Sequence, residues 1–410
     1  MSQENDRQLP DGWQWVKLGD VCRDVSDGSH FTPTYIEEGI PFLSVKNIRE
    51  TGINFDDCKF ICEEEHKKLC KRCKPEKGDV LYTKVGTTGI AKAIDINREF
   101  SIFVSVALLK LKSEVIPEYL EKVLNAPICK KQAESLTQGA ANRNLVIKDL
   151  KCIEIPLPPL SEQKRIAAIL NEQMEAVEKA RKATEAQLEA AKALPAAYLR
   201  AVFESEEANS WERRKLGDVC RVTKLAGFEY TKYVNYNPDG KYIALRAQNV
   251  RNTGLDLSNF VKITEDVASY LSRSKLDSGD IVMTFIGANI GEATWIDKND
   301  MFYCAPNIAR ITPNAELIDC QFLTRLIHSS EFQRQIRDIN ESTAQQSLSM
   351  KNIRDFWVVF PTLSQQKQIA STLTEQMQEV ERLKQNLKEQ LDTINKLPAV
   401  LLRRAFKGEL

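Results

Sequence analysis

A repeat that starts at residue 160 and again at residue 363 constrains this chain more than any other feature of its sequence. Residues 160–170 read LSEQKRIAAIL, and residues 363–373 read LSQQKQIASTL. The match continues to Leu194-Pro195 and Leu397-Pro398, and then to Phe203 and Phe406. One constant offset held over roughly forty positions indicates a tandem duplication.

The repeated segment predicts a long helix in each copy. No Gly or Pro occurs between residues 161 and 194, helix-favouring residues dominate, and Ser161 stands where an N-cap is expected. Apolar residues recur at a 3–4 spacing, which is typical of a helix–helix seam, and each helix would be about 50 Å long. We expect the two helices to pair antiparallel as a coiled coil. The seam positions are Leu170, Met174, Val177, Leu188, Leu373, Met377, Val380, Leu387 and Leu391.

Two globular segments accompany the helices and repeat each other loosely. KLGDVCR at 17–23 returns at 215–221, and NIRETG at 47–52 returns as NVRNTG at 249–254. Short β-branched and aromatic runs between turn residues predict strands, while Pro-Leu-Pro-Pro at 156–159 predicts a stiff hinge. The predicted fold is α+β, with a globular domain at 1–159, a helix at 160–206, a second globular domain at 207–361 and a second helix at 362–410.

The contrast between near-copied helices and divergent globular segments indicates one shared kind of partner and two different targets. An antiparallel helix pair would give the chain approximate two-fold symmetry and place the two globular segments at opposite ends. Such a body suits a bipartite site on a long polymer.

Composition excludes several classes of protein. The formal net charge is zero, which argues against a strongly basic, non-specific coat on nucleic acid. No apolar run approaches the ~18 residues of a membrane span, and the polar start is not a signal peptide. We therefore expect a cytoplasmic protein without membrane contact, whose ten cysteines are reduced thiols.

The chain resembles the specificity subunit of a type I restriction–modification enzyme over essentially its whole length. The motifs that carry the resemblance are the Trp-x-x-x-Lys-Leu-Gly-Asp-Val opening at 13–21, which recurs one residue longer from Trp211, Asp-Gly-Ser-His at 27–30, the Gly-Asp-(Val/Ile) strands, and the start of the first helix. The second helix departs slightly, with Gln365 and Gln368 where the first has Glu162 and Arg165.

The resemblance implies a division of labour between this chain and its partners. Each globular segment would be a target-recognition domain for one half of a split double-stranded DNA sequence. The helices would dock two modification subunits, which methylate adenine, and restriction subunits would join them. S-adenosylmethionine, ATP and Mg²⁺ are then expected in the partners, with no cofactor in this chain.

Motifs for catalysis are missing from the chain, in agreement with a non-catalytic subunit. It has no Asn/Asp-Pro-Pro-Tyr/Phe, no Gly-x-x-x-x-Gly-Lys-Ser/Thr and only three histidines. Two other hypotheses stay open: a coiled-coil scaffold with two protein-binding heads, which the neutral charge favours, and a self-sufficient methyltransferase, against which the missing motifs argue. A homodimer is expected when the partners are absent, because an exposed seam favours self-association.

Candidate DNA-binding residues fall into two groups. Residues shared by the two segments cannot explain different sequence preferences, so phosphate contact or framework hydrogen bonding fits them better. Polar residues that differ between the segments are better candidates for reading bases. The shared group is Asn47, Arg49, Asn249 and Arg251; the second group is Lys46, Lys84, Asn142, Arg143, Asn144, Arg246, Gln248, Gln345 and Gln346. Asn289 is a further DNA-binding candidate in the turn between Gly287 and Gly291, which is either a tight hairpin turn or a close backbone approach to a phosphate.

A cluster of Cys58, Cys62, His66, Cys70 and Cys73 is similar in composition to a zinc site. The second segment has Ile263, Val267 and Leu271 opposite three of these residues. Apolar counterparts favour cysteines that fill the core face of a helix, and we predict no metal.

Overall fold

The computed structural model describes residues 9–138, 143–225, 227–341 and 347–410, and its chain forms two compact units. Unit 1 is Met1–Glu185 with Glu389–Leu410, and unit 2 is Ala186–Lys388. Each unit therefore takes one globular segment, the near end of one long helix and the far end of the other. Among the described residues, no helix is long and apolar enough to cross a membrane.

Unit 1 is built from short strands and helices around one antiparallel sheet. The sheet has the strand order β2-β10-β7-β8, and β3 pairs with β6 and β9 in a second sheet. Its elements are β1 (Gln14–Lys17), β2 (Cys22–Asp27), β3 (Ile40–Leu43), β4 (Ile48–Arg49), β5 (Gly52–Ile53), β6 (Lys59–Ile61), α1 (Glu63–Cys70), β7 (Val80–Thr83), β8 (Ala91–Ala93), β9 (Ser101–Ile102), β10 (Val106–Leu111), α2 (Pro117–Leu124), α3 (Pro127–Leu136), α4 (Ile147–Leu150), β11 (Glu154–Leu157) and the start of α5 (Leu160–Phe203).

Unit 2 repeats this topology with different side chains. Its main sheet has the order β13-β22-β19-β20, and its second sheet has the order β17-β14-β21-β18. Its elements are β12 (Glu212–Lys215), α6 (Leu216–Val219), β13 (Cys220–Lys224), α7 (Gly227–Tyr233), β14 (Tyr242–Leu245), β15 (Val250–Arg251), β16 (Gly254–Leu255), β17 (Val261–Ile263), α8 (Glu265–Tyr270), β18 (Lys275–Leu276), β19 (Ile281–Thr284), β20 (Ala293–Trp295), β21 (Phe302–Cys304), β22 (Ile308–Pro313), α9 (Cys320–Ile327), α10 (Ser330–Glu341), α11 (Met350–Asp355), β23 (Trp357–Phe360) and the start of α12 (Leu363–Ala405). The predicted α+β tandem duplication is confirmed.

In each unit, one long helix begins where the other ends. Leu170 of α5 and Phe406 beyond α12 lie in the core of unit 1, together with Tyr119 of α2. Phe203 of α5 and Leu373 of α12 lie in the core of unit 2. The two helices therefore run in opposite directions through each unit, as the antiparallel prediction requires.

A buried glutamine in the first turn of each long helix fixes it to its globular segment. Gln163 accepts a hydrogen bond from Ile116 N at 3.0 Å and donates to Glu114 O and Pro158 O. Gln366 makes the same three bonds with Asp319 N, Leu317 O and Pro361 O. Because both amides are fully bonded inside the protein, they satisfy backbone groups that burial would otherwise leave unpaired.

Two local predictions were wrong. Helix α5 starts at Leu160, so Ser161 is inside its first turn, and the helix continues through Pro195 to Phe203. The predicted hinge is partly a strand, because Pro156 and Leu157 of β11 pair with Trp15 and Gln14 of β1. At the hinge, strand pairing outweighs the local preference of proline.

The predicted seam residues are buried or half-buried at every position. Leu170, Leu373, Val380 and Leu387 are buried, and Met174, Val177, Leu188, Met377 and Leu391 are half-buried. Exposed large apolar side chains on the two long helices lie off the seam, at Leu160 of α5 and at Leu383, Leu397 and Val400 of α12.

Candidate nucleic-acid interface

Four loops of unit 1 lie side by side at one edge of the main sheet. Val45 N donates to Ser105 Oγ at 3.1 Å, and Lys84 N donates to Ser105 O at 2.9 Å. Leu145 N donates to Lys84 O at 2.8 Å, and Gly86 N donates to Arg143 O at 3.0 Å. These bonds bring together loops that are far apart in sequence, including the three loops that carry Lys46, Lys84 and Arg143.

Unit 2 has an equivalent row of loops. Phe285 N donates to Asn307 O at 3.0 Å, and Leu348 N donates to Phe285 O at 2.9 Å. Ala305 N donates to Leu245 O, and Ile286 forms a bridge with Ser347. The backbone at this edge is thus the same in both units, while the side chains it presents differ.

The shared asparagines hold the edge loops rather than project from them. Asn47 is buried, accepts hydrogen bonds from Ser44 N and Oγ, and donates to Asn54 O and Asp57 O. Asn249 accepts from Arg246 N and donates two bonds in the same way. With both amides fully used, framework hydrogen bonding describes them, and neither belongs to the surface that DNA could contact.

The other residues of the first edge loop differ in how much they are exposed. Lys46 and Arg49 are exposed. Gln248 is exposed and its Nε2 donates to Asn259 O at 3.1 Å. Arg246 is half-buried, and its Nε has no hydrogen-bond partner among the described residues. Arg251 is half-buried and its Nη1 donates to Glu292 Oε2 at 2.9 Å, which ties β15 to the start of β20.

Lys84 is buried, and this corrects its assignment as a base-reading residue. Its Nζ lies 3.3 Å from Asp27 Oδ2. Asp27 is also buried and contacts Arg72 at 2.6 Å and His30 at 3.0 Å. A buried lysine that neutralises a buried carboxylate cannot reach a base without breaking that pair. Arg72, which is exposed, is the cation that this cluster presents at the surface, and the exposed ring of His30 lies beside it.

Among the described residues of unit 2, the equivalent site has no such ion pair. The strand partner of Ala107 in unit 1 is Asp27, whereas the partner of the equivalent Ala309 in unit 2 is Lys224. Lys224 is exposed, and its Nζ lies 5.3 Å from the ring centre of Phe285, which replaces Lys84. The local charge pattern of the two edges therefore differs, as two different target sequences would require.

The glycine-flanked turns lie next to these loops. Gly86 and Gly89 have φ of 77° and 95°, and Gly287 and Gly291 have φ of 112° and 89°, values that favour glycine. Asn289 is half-buried in the second turn, and its carbonyl accepts from Glu292 N.

The predicted loop at 142–144 is partly described. Arg143 is exposed with Glu134 at 3.5 Å, while Asn144 is half-buried and bridges to Val85 and Gln138. Asn142, Gln345 and Gln346 lie outside the described residues.

Two exposed phenylalanines near these edges were not predicted from the sequence as candidate site residues. Phe31 is 83% exposed and Phe228 is 64% exposed, and each follows by four residues the equivalent strand positions Asp27 and Lys224. Ser29 N donates to Ile102 O, and Val104 N donates to Ser29 O, so the Phe31 segment joins the same edge. An alignment on this strand would have revealed the pair, but the surrounding residues share no motif.

The cysteine cluster is not assembled as a metal site. No group of three or more His, Cys, Asp or Glu side chains among the described residues is placed to hold a metal ion. His66 is buried and its Nδ1 lies 2.9 Å from Ser101 Oγ. Cys73 is in the core, but Cys62 precedes α1 and is exposed, so our expectation of a core cysteine was wrong there.

Comparison with known proteins places these observations in a family. The family model described as "Type I restriction modification DNA specificity domain" matches residues 10–189 and again 209–393. The Type I restriction enzyme MjaVIII specificity subunit of Methanocaldococcus jannaschii is 24% identical, with 95% of this chain and 91% of that protein aligned. The EcoKI specificity subunit of Escherichia coli is 22% identical, covering 98% of this chain and 90% of that protein.

Solved structures share the fold. A chain from a study of complex assembly and conformational transition of the type I R-M system matches with a TM-score of 0.71 and 19% identity, covering 98% of this chain and all of that chain. The HsdS subunit of Thermoanaerobacter tengcongensis matches with a TM-score of 0.67 and 19% identity over the full length of both chains.

Proposed function

Because this chain belongs to the type I restriction–modification DNA specificity family, we propose that it reads a split DNA target, one half-site per unit, and carries modification and restriction subunits on its long helices. The chain is the non-catalytic specificity subunit of such a system. S-adenosylmethionine, ATP and Mg²⁺ are then required only by the partner subunits.

The proposal of two recognition domains rests on the row of loops at the edge of the main sheet, which has the same backbone arrangement in both units. Its backbone hydrogen bonds are equivalent, but Lys46 is replaced by Gln248 and Ser44 by Arg246. Lysine and arginine suit the acceptors of guanine, while glutamine suits the donor and acceptor of adenine. Two edges with these different side chains would prefer different half-sites.

The exposed phenylalanines add a second kind of contact to each reader. Phe31 lies near the cation Arg72, and Phe228 follows the cation Lys224 by four residues. Phenylalanine contacts the methyl group of thymine or wedges between base steps, while neighbouring cations contact phosphates. In this proposal Phe31 and Phe228 contact bases, and Arg72 and Arg49 position the backbone.

The helices are the proposed docking site for the partner subunits. Leu383, Leu397 and Val400 expose apolar surface on α12 away from the seam. Apolar side chains in this setting are typical of surfaces that a protein partner covers.

The salt dependence of DNA binding tests the proposal against a protein-binding scaffold. Each phosphate that lysine or arginine neutralises releases counterions, so log K falls with log salt by about 0.9 per contact. We expect a steep linear fall for the chain with its modification subunits, measured by fluorescence anisotropy on duplex DNA. If DNA binding is too weak to measure even at low salt, the result would favour a protein-binding scaffold instead.

Replacement of Arg143 tests whether the edge itself contacts DNA. Arg143→Ala should weaken specific binding by about 1–3 kcal/mol if the guanidinium contacts a guanine. Lys182→Ala, on an exposed part of α5, is the matched control and should leave affinity unchanged. If Arg143→Ala and Lys182→Ala bind DNA with equal affinity, the loop at 143–145 does not contact the target.

A further inference from the structure

A cavity of about 680 Å³ lies inside unit 2, where the end of α5 and the first half of α12 meet the globular segment. Leu199 of α5 and Met377 of α12 supply apolar walls, and Trp295 of β20 supplies an aromatic one. Cavities of roughly 300–1,000 Å³ with apolar walls and a few polar groups are the usual size and composition of small-molecule sites.

Arg325 of α9 lines this cavity and has no carboxylate partner among the described residues. Its side chain is 8% exposed, and the guanidinium lies 5.2 Å from the ring centre of Trp295. Its closest polar contact is Nη2 to Thr374 Oγ1 at 3.4 Å, and its Nε has no hydrogen-bond partner in the described part of the chain. A buried cation with no counter-charge is costly, and an anion in the cavity would offset that cost.

In unit 1 the equivalent cation has a carboxylate beside it. Lys122 of α2 occupies the position of Arg325 and pairs with Glu121 at 3.2 Å; Glu121 also pairs with Lys92 at 3.1 Å. In unit 2, Thr324 replaces Glu121 and donates to Cys320 O at 2.8 Å. Unit 2 has therefore kept the cation and lost the carboxylate. The cavity at the equivalent place in unit 1 is smaller, about 350 Å³.

The remaining charged residues around the cavity leave it positive. Arg382 pairs with Glu379 at 2.6 Å, and the acidic Glu381 pairs with Lys384 at 2.6 Å. Arg200 also lines the cavity and has no ion pair among the described residues. His328 donates from Nε2 to Ala293 O, and burial lowers its pKa to about 4, so the ring is neutral at pH 7.

We propose that this cavity binds a small organic anion, with a carboxylate paired to Arg325 and an apolar or aromatic body held by Trp295, Leu199 and Met377. Arginine forms bidentate hydrogen bonds with carboxylates, and the indole ring of Trp295 beside the guanidinium group fixes the plane of that group. A protein partner docked alike on both units is a poorer occupant, because the equivalent lysine of unit 1 is already paired with a carboxylate, so the two units do not present the same cation.

Calorimetric titration of the full chain with indole-3-acetate and with its neutral amide tests the proposal. The carboxylate should bind at least tenfold more tightly than indole-3-acetamide at constant ionic strength. Arg325→Met should lose at least tenfold in affinity, and Arg325→Lys should retain part of it. Lys122→Met in unit 1 is the matched control and should change nothing.

Several results would overturn the proposal. They are equal binding of acid and amide, unchanged binding by a folded Arg325→Met variant, or an equal thermal shift from inorganic phosphate alone. If the Arg325 variants fail to fold, Glu381→Gln provides a second test. It removes a negative charge from the cavity wall, so the affinity for indole-3-acetate should stay the same or rise. Weaker binding of indole-3-acetate would contradict the proposal. Loss of modification-subunit assembly in Arg325→Met, without carboxylate binding by the parent chain, would identify a docking pocket instead.

Discussion

The two units differ at their edges and agree in the buried polar groups behind them. Asp79 in unit 1 and Asp280 in unit 2 each accept a hydrogen bond from a backbone N–H of a turn. Each also forms an ion pair at 2.7 Å with a basic residue in a neighbouring strand of the main sheet, Lys110 in unit 1 and Arg310 in unit 2. At the edge, the exposed Lys46 of unit 1 corresponds to the exposed Gln248 of unit 2. Backbone positions that depend on buried carboxylates and amides stay fixed while surface side chains change. A duplicated chain can thus acquire a second specificity without rebuilding its fold.

The largest expected difference between the units is at Asp27. Asp27→Asn would leave Lys84 buried without a counter-charge and should lower the free energy of unfolding by about 3–5 kcal/mol. Lys224→Met, at the equivalent position of unit 2, changes an exposed side chain and should cost less than about 0.5 kcal/mol. Thermal unfolding of both variants checks the contrast.

A double variant sharpens this test. Lys84→Met added to Asp27→Asn should recover most of the lost stability, because an apolar side chain at this place resembles Phe285 of unit 2. Equal stability of Asp27→Asn and the parent protein would contradict the buried ion pair.

The helix-anchoring glutamines should behave alike in both units. Gln163→Leu and Gln366→Leu each leave three backbone groups unpaired, and each should cost about 3 kcal/mol or more, judged by about 1–3 kcal/mol per unsatisfied group. Gln187→Leu on the exposed face of α5 is the control and should stay within about 0.5 kcal/mol of the parent. A large cost in one unit only would break the equivalence of the two frameworks.

A smaller difference concerns acid stability. His328 occupies the position of Asn125 in unit 1, and burial lowers its pKa from 6.5 to about 4. Its contribution is complete above pH 6.5 and is lost as pH falls towards 4, because the unfolded state binds the proton first. At pH 5 the loss from this group should be at most about 2 kcal/mol.

Exchange of His328 for the residue of unit 1 separates this effect from other titrations. His328→Asn should flatten the decline in unfolding free energy between pH 7 and pH 5, measured by denaturant titration. An unchanged decline would assign the acid sensitivity to other groups.

Sequence patterns predicted the architecture well because its signals are periodic or repeated. The duplication, the two long helices and their opposite directions in each unit follow from one offset and a 3–4 spacing. The repeat predicts a helix at 160–206, and the packing of Leu199 and Phe203 into unit 2 keeps the chain helical past Pro195 to Phe203.

The sites were harder to predict because burial is a property of the packed protein. A lysine and an asparagine in a loop suggest nucleic-acid contact, but Lys84 is inside an ion pair and Asn47 inside a hydrogen-bond network. The sequence did not mark Arg325 as a site residue. Among the residues that the structure describes, Arg325 lacks a carboxylate neighbour because Thr324 stands where unit 1 has Glu121. That replacement becomes visible only when α2 and α9 are superposed. The repeat itself supplies that alignment once the fold is known.

Sequencing of modified bases in a host with modification subunits tests the central claim most directly. Residues 207–361 would be replaced by the corresponding segment of another family member, and the parent chain would be the control. We expect a split, adenine-methylated motif in which only one half changes and the spacing between the halves is kept. A change in both halves, or a motif that the replacement does not alter, would contradict two independent readers.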